Sequence, residues 1–157
     1  EDQAGNIWIA TDGGLNHISL LNRSFFQELQ IESFSFGDRN LGNSLMKISE
    51  DSEGNLWIGT SGQGIMILQY RKLLSYTVRN GLVRNYIKAI FQDKAENIWI
   101  GTNGGGINLF QDGEIKIFTI DNGLGSNFIN SMFTANILNQ AAFLRRLDLR
   151  VYAPAWA

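Results

Sequence analysis

One ten-residue string occurs three times in this chain, and it dictates most of what the chain can fold into. Written as Asp-x-x-Gly/Glu-Asn-Ile/Leu-Trp-Ile-Gly/Ala-Thr, it spans Asp2 to Thr11, Asp51 to Thr60 and Asp93 to Thr102. The tryptophans at its centre, Trp8, Trp57 and Trp99, stand 49 and then 42 residues apart. A repeat of this kind is one supersecondary unit copied along the chain, and such a unit buries its apolar faces only against its neighbours. The likeness runs past the tryptophan. Each copy continues into a glycine turn and an apolar run: Gly13-Gly14-Leu15, Gly62-Gln63-Gly64-Ile65 and Gly104-Gly105-Gly106-Ile107. Asn80-Gly81-Leu82 returns as Asn122-Gly123-Leu124, and the run from Asn85 to Phe91 returns as Asn127 to Phe133.

Within one period the pattern predicts four strands: Tyr86 to Gln92, Ile98 to Thr102, Gly106 to Phe110 and Glu114 to Thr119. In the last of these Ile115 and Ile117 alternate with Glu114 and Lys116, the period of a strand with one covered face. Asp93 to Asn97 reads as a hairpin turn in which the aspartate accepts backbone N–H bonds and Gly or Asn supplies a positive φ. Gln111-Asp112-Gly113 is a second hairpin signal. Composition agrees, with 17 glycines against a single proline, Pro154, in a chain that is 44% hydrophobic. Four-stranded units of about 40–45 residues that pack radially on one another are the blades of a β-propeller. The fold expected is therefore all-β: a propeller fragment of about three four-stranded antiparallel blades, with Trp and Ile filling the space between sheets. The blades fall near residues 1–42, 43–84 and 85–126, and 127–133 is the first strand of another, so the partial propeller covers 1–133. The longer first spacing puts about seven extra residues between Leu20 and Phe36, as an elongated outer hairpin. Closed propellers have about 4–8 blades, so a chain of this length is expected to come from a longer array.

The repeat signal stops at Phe133. Residues 134–157 contain no glycine and carry Arg145, Arg146 and Arg150. Ile137, Leu138, Ala141, Leu144 and Leu147 have the spacing of a short amphipathic helix. This atypical, helix-patterned tail reads as a frameshifted or truncated gene end, or an appended scar, ahead of a functional helix. The chain opens on Glu1 rather than methionine, which also suits a fragment, a processed product or an excised piece. A net charge of −2 with no long basic run argues against nucleic acid as a partner. The absence of cysteine excludes disulfides, thiolate zinc sites and cysteine nucleophiles. Nothing resembles a signal peptide, and no apolar run approaches the roughly 20 residues of a membrane helix.

The string Gly-Asn-Ile/Leu-Trp-Ile-Gly-Thr, the glycine turn and the later Asn-Gly-Leu together resemble the two-component regulator propeller repeat, over residues 1–133. The resemblance implies the periplasmic sensor region of a hybrid two-component sensor histidine kinase. In such proteins propellers precede an immunoglobulin-like domain, a membrane helix, the kinase and often a response regulator. It implies a non-catalytic signal-transduction module that binds an oligosaccharide ligand, with phosphorelay chemistry carried by parts outside this chain. The partners it implies are the remaining blades, the downstream sensor and kinase domains, and a second copy in a homodimer. The repeat also occurs in diguanylate cyclases and in proteins of other output. One rival is enzymatic: the Gly-Asn-Ile-Trp turn also looks like that of streptogramin lyases, metal-dependent propellers with a catalytic histidine. The other is a protein-interaction scaffold propeller with no small ligand.

Chemistry-bearing residues are few. His17 is the only histidine, so a Ser-His-Asp triad would have to use it, and no positioned partner can be named from sequence. An ordinary strand residue is the expectation. Asp12-Gly13-Gly14 and Asn103-Gly104-Gly105-Gly106 are followed by strands rather than by the helix that a phosphate loop requires. Asp51-Ser-Glu-Gly54-Asn55 is too short for a calcium loop and lacks its terminal glutamate. Paired carboxylates for glycoside hydrolysis could be drawn from Asp2, Asp51 and Asp93, yet these hold equivalent turn positions, as structural residues do. By the same logic Trp8, Trp57, Trp99, Gly59 and Gly101 are read as structural repeat residues, although the indoles could stack on sugars. No catalytic residue, metal site or cofactor is therefore expected. Function is expected at positions the repeat leaves free, on one rim of the propeller. There Asp12, Ser61, Gln63 and Asn103 occupy the loops between second and third strands. Arg39, Asn40, Arg79, Asn80, Arg84, Asp121 and Asn122 lie in or beside the segments that lead into the next blade. Amides with arginines suit an oligosaccharide, acidic ones included, or a protein surface.

Overall fold

The computed structural model describes residues 1–19, 31–34, 44–70 and 72–132. Three antiparallel sheets follow one another along the chain. The first contains β1 (Ile7–Thr11), β2 (Gly14–Ile18) and β3 (Ile31–Phe34) in that order. The second runs β4 (Leu45–Glu50), β5 (Leu56–Thr60), β6 (Ile65–Gln69) and β7 (Lys72–Tyr76). The third repeats it with β8 (Ile87–Gln92), β9 (Ile98–Thr102), β10 (Ile107–Gln111) and β11 (Glu114–Phe118). Neighbouring strands pair antiparallel throughout; Trp57 faces Ser49 and Ile67, and Trp99 faces Phe91 and Leu109. The described residues are all-β, with the architecture of a propeller fragment. Arg39, Asn40, Phe133, the 134–157 tail and most of the stretch expected as a longer outer hairpin lie outside the described residues.

Two apolar layers hold the sheets together. Leu15, Leu45, Leu56, Ile58 and Met66, with Trp8 and Ala10 against them, fill the space between the first and second sheets. Trp57, Ile65, Ile67, Leu82, Ile87, Ile90, Ile98 and Ile100 fill the space between the second and third. The second sheet is thus covered on both faces, and all five residues of β5 are buried. Alternate residues point to opposite layers, Ile58 to one and Trp57 to the other, as a strand's period of two requires.

Gly59 and Gly101 are set by close approach. A Cβ on Gly59 would lie 2.6 Å from Cγ2 of Ile87, the first residue of β8. A Cβ on Gly101 would lie 2.4 Å from Cγ2 of Ile129. The first copy carries Ala10 at this position, packed against the layer that contains Leu45, the counterpart of Ile87. Leucine is unbranched at Cβ, so it has no γ-methyl where isoleucine needs a glycine opposite. Register slips by one residue between Leu45 and Lys47 and again between Ile87 and Ala89. These matching bulges leave Met46 and Lys88 as the extra residues, and a bulge re-aims the side chain it carries.

The segments between sheets are not simple loops. Val78–Asn80 and Ile120–Asn122 each form one 3-10 turn. Thr77 and Thr119 cap them, and the side-chain oxygens of Asn80 and Asn122 accept the N–H of Thr77 and Thr119 at 3.1 and 2.9 Å.

The outer face of the first sheet remains apolar: Ile7 and Ile9 are each 39% exposed there, and Ile31 is 59% exposed. The isolated chain is therefore expected to self-associate, because unpaired inter-sheet faces seek a partner. Light scattering across a dilution series should show a mass that rises with concentration; a monomer at all concentrations contradicts this.

Candidate functional site

Each sheet has two ends, and they differ in chemistry. At one end sit the hairpins Asp2–Asn6, Asp51–Asn55 and Asp93–Asn97. Asp51 accepts there from the backbone N–H groups of Glu53 and Asn55 at 3.0 and 2.8 Å. Its second oxygen accepts from Asn55 Nδ2 at 2.9 Å and from Trp57 Nε1 at 2.7 Å. Asp2 makes the same bonds with Ala4, Asn6 and Trp8, and Asp93 with Ala95, Asn97 and Trp99. A carboxylate that receives four donors is committed to its turn. The bonds from Trp99 and Asn97 hold the Asp93 carboxyl below the usual carboxylate range against the opposing cost of desolvation.

This end also joins neighbouring sheets. Gln3 N–H donates to Glu50 Oε2 at 2.7 Å, and Ser52 N–H donates to Gln92 Oε1 at 2.8 Å, one repeat later. A cleft of about 330 Å³ lies beside the second bond, lined by Asp51, Trp57, Tyr76, Gln92 and Glu96. One of about 350 Å³, lined by Asp2, Trp8 and Glu50, occupies the matching place one sheet earlier. Recurrence at each junction marks these clefts as features of the stack. The third hairpin corrects one sequence expectation: the positive φ belongs to Glu96, at +66°, and not to a glycine or an asparagine. Gly5 and Gly54 hold that place in the other copies at +83° and +81°. A left-handed backbone costs a non-glycine residue about 1 kcal/mol. Glu96→Gly should therefore raise the unfolding free energy by roughly 0.5–1 kcal/mol, less the lost bond from Ser52 Oγ at 3.2 Å. Urea titration checks this, and no gain would contradict the assignment of strain.

The opposite end carries the residues that sequence singled out. The turns after β1, β5 and β9 meet the segments that lead into the next sheet. Ser44 Oγ donates to Asp12. Ser61 N–H donates to Ser44 O at 3.1 Å, and Ser61 forms a bridge with Tyr86. Asn103 N–H donates to Tyr86 O at 3.0 Å, and Asn103 forms a bridge with Phe128. Ser44, Ser61, Tyr86, Asn103 and Phe128 therefore make a ladder that crosses the rim from sheet to sheet. Gln63 donates its N–H to Thr60 Oγ1 at 2.7 Å. Arg84 lays its stem over Gly105, where a Cβ would lie 2.5 Å from Arg84 Cγ. Arg79 and Asp121 project from the two 3-10 turns into solvent. Asp12, Ser61, Arg84 and Asn103 come together with the incoming segments, whereas Asn80 and Asn122 are engaged in their own caps.

Two asparagines were quoted in the sequence only as repeat residues. Asn85 Oδ1 accepts from Val78 N–H at 2.8 Å, and its backbone oxygen accepts from Gly64 N–H at 2.9 Å. Asn127 repeats this with Ile120 at 2.9 Å and Gly106 at 2.8 Å. They tie each crossing segment to the turn it covers. Tyr86 and Phe128 were likewise missed as rim residues: Phe128 is 63% exposed, and Lys88 Nζ stands 5.1 Å from the centre of the Tyr86 ring. His17 lies in β2, with Nδ1 3.5 Å from Glu32 and its ring 4.4 Å from that of Trp8. Among the described residues no cluster of His, Asp or Glu is arranged to hold a metal ion. No helix among them is long and apolar enough to cross a membrane.

Comparison with known proteins supplies the context. The family model for the two-component regulator propeller matches residues 41–62 and 81–104. Two solved structures, described as the extracellular domain of the one component system BT4673 and of the hybrid two component system BT4673 from B. thetaiotaomicron, are similar to this chain. Each is 26% identical over 87% of the chain, with a TM-score of 0.66. The chain spans 20% of the length of either structure. No curated protein matches.

Proposed function

We propose that this chain, which carries two-component regulator propeller repeats and resembles the extracellular domain of a two-component-type system, is part of a ligand-sensing module in the extracytoplasmic region of a membrane-bound sensor. The ligand is an oligosaccharide received on the rim that carries Asp12, Ser61, Arg84 and Asn103. The single observation that supports the reading is the division of labour between the two ends. At the hairpin end every copy spends its carboxylate on the same four donors, which commits that carboxylate to the turn. At the rim the backbone ladder is constant while its side chains change from copy to copy: Ser44, Tyr86 and Phe128 stand at equivalent places. A rigid frame with variable side chains is how binding surfaces are built.

Signal transfer then consists of a change in packing between this propeller and the domains that follow it, biasing a dimer across the membrane. The ligand gains influence only through different affinity for the two packings. Kinase and phosphorelay chemistry belong to other parts of the parent protein. A glycan panel presented to the complete extracellular region tests this reading. Saturable binding to a defined oligosaccharide is expected, weakened by substitutions at Arg84 and Asn103. Binding to no glycan would favour a protein-interaction scaffold and overturn the sensor assignment.

A further inference from the structure

We propose that the rim between the second and third sheets holds an anion subsite, built by Arg84, Lys88 and Asn103 beside the Tyr86 ring, which takes the carboxylate or sulfate group of an acidic sugar. The proposal rests on the oligosaccharide reading above and narrows it to one chemical class. Its starting point is what changes between copies. The incoming segment of the third sheet reads Arg84, Tyr86, Lys88, where the next copy reads Ser126, Phe128, Asn130. On the 3-10 turns Arg79 is likewise replaced by Asp121. Cations are thus gathered at one junction and absent from the equivalent positions of the next.

Local structure sets these groups along one junction. The Arg84 stem lies over Gly105, so a Cβ there would meet its Cγ at 2.5 Å. Glycine at 105 lets the arginine lie flat across the turn that presents Asn103. Asn103 in turn bonds the backbone of Tyr86, and the bulge at Lys88 sets its ammonium 5.1 Å from the Tyr86 ring centre. Among the described residues neither Arg84, Lys88 nor Arg79 makes an ion pair with a carboxylate. Arg84 and Asn103 are exposed, while Tyr86 and Lys88 are half-buried. Cations held without a carboxylate beside an aromatic face and an amide match a charged pyranose. The ring's C–H face lies on the side of tyrosine away from the ammonium, its acid group meets guanidinium and ammonium, and its hydroxyls reach the amide. An acidic peptide would use the cations but has no need of the aromatic face, so the sugar is the better fit.

The test titrates the complete extracellular region with four probes. These are a glucuronate-bearing tetrasaccharide, its carboxyl-reduced neutral counterpart, sodium sulfate alone and a glutamate-rich peptide. The double variant Arg84→Gln with Lys88→Gln removes both charges while keeping the stems that cover Gly105 and Tyr86, and an unchanged melt shows that it folds. The acidic tetrasaccharide should bind the wild type, lose about tenfold or more in affinity in the variant, and weaken as salt rises. The neutral counterpart should bind more weakly and be indifferent to the substitutions. Acidic-sugar binding that survives both substitutions overturns the subsite while leaving the sensor reading intact. Tighter binding of the peptide than of either sugar overturns the subsite in favour of a protein partner. Binding of none of the four, alongside a null glycan panel, removes the sensor reading as well.

Discussion

Gly64→Ala is expected to destabilise the fold by roughly 3 kcal/mol or more, the sum of a strained backbone and a steric conflict. Gly64 sits at φ +77°, where an L residue is disfavoured by about 1–2 kcal/mol. A Cβ there would also lie 2.1 Å from the carbonyl oxygen of Tyr76. That oxygen belongs to the backbone at the end of β7, so it cannot rotate away as a side chain would. The turn would have to open, releasing the bonds from Thr60 N–H to Gly64 O and from Gly64 N–H to Asn85 O. Gly106 stands in the same place one sheet later, 2.1 Å from Phe118 O at φ +83°, and should respond alike. Gly113→Ala separates the two causes. Its φ is +78°, yet no atom lies within 4 Å of a Cβ, so only the backbone penalty of about 1 kcal/mol applies. Chemical denaturation of the three variants checks this. Equal losses at Gly64 and Gly113 would contradict the steric part of the account.

The second large effect is at Asp51. Asp51, Asn55 and Trp57 are 7%, 7% and 9% exposed, so solvent reaches the freed donors poorly when the carboxylate is removed. Asp51→Ala strands the backbone N–H groups of Glu53 and Asn55 and the indole N–H of Trp57. At about 1–3 kcal/mol for each buried donor left unmade, the loss should reach about 3–5 kcal/mol. Asp93→Ala removes the same set of bonds in a more exposed setting, where solvent reaches the freed donors, and should cost clearly less than Asp51→Ala. Trp57→Phe removes the donor and leaves a smaller aromatic ring in the layer. Added to Asp51→Ala it should cost less than the two single losses together, since the shared bond is lost only once. Equal effects at Asp51 and Asp93 would show that burial does not control the strength of the clamp.

The sequence made the sheets legible because the same string could be read three times. Strand positions in the third copy differ from expectation by one residue at Tyr86, Gly106, Gln111 and Thr119, and each has a reason. Gln111 belongs to its strand because it pairs with Glu114 across a two-residue turn. Tyr86 and Gly106 are drawn out of their sheet by bonds to the neighbouring turn or segment, and Thr119 caps a 3-10 turn. Those 3-10 turns were hidden because Asn-Gly reads as a reverse turn. The available signal was threonine followed three residues later by asparagine, a capping box with the shorter asparagine in place of glutamate or glutamine. The Asp–Trp bond was hidden for another reason. The two residues are six apart, and only the geometry of a five-residue hairpin brings them together. The rim was legible only as a set of loops. Which side chains meet there depends on contacts between one copy and the next, and a repeat pattern shows what recurs within a copy, not what touches across the junction.

The central claim is that ligand recognition resides on the rim and that the repeated hairpins are structural. Amide hydrogen exchange of the complete extracellular region, with and without its bound oligosaccharide, tests this most directly. Protection is predicted in residues 77–88, 102–106 and 119–128, with the hairpins 51–55 and 93–97 unchanged. Protection confined to those hairpins, with the rim unaffected, would contradict the account.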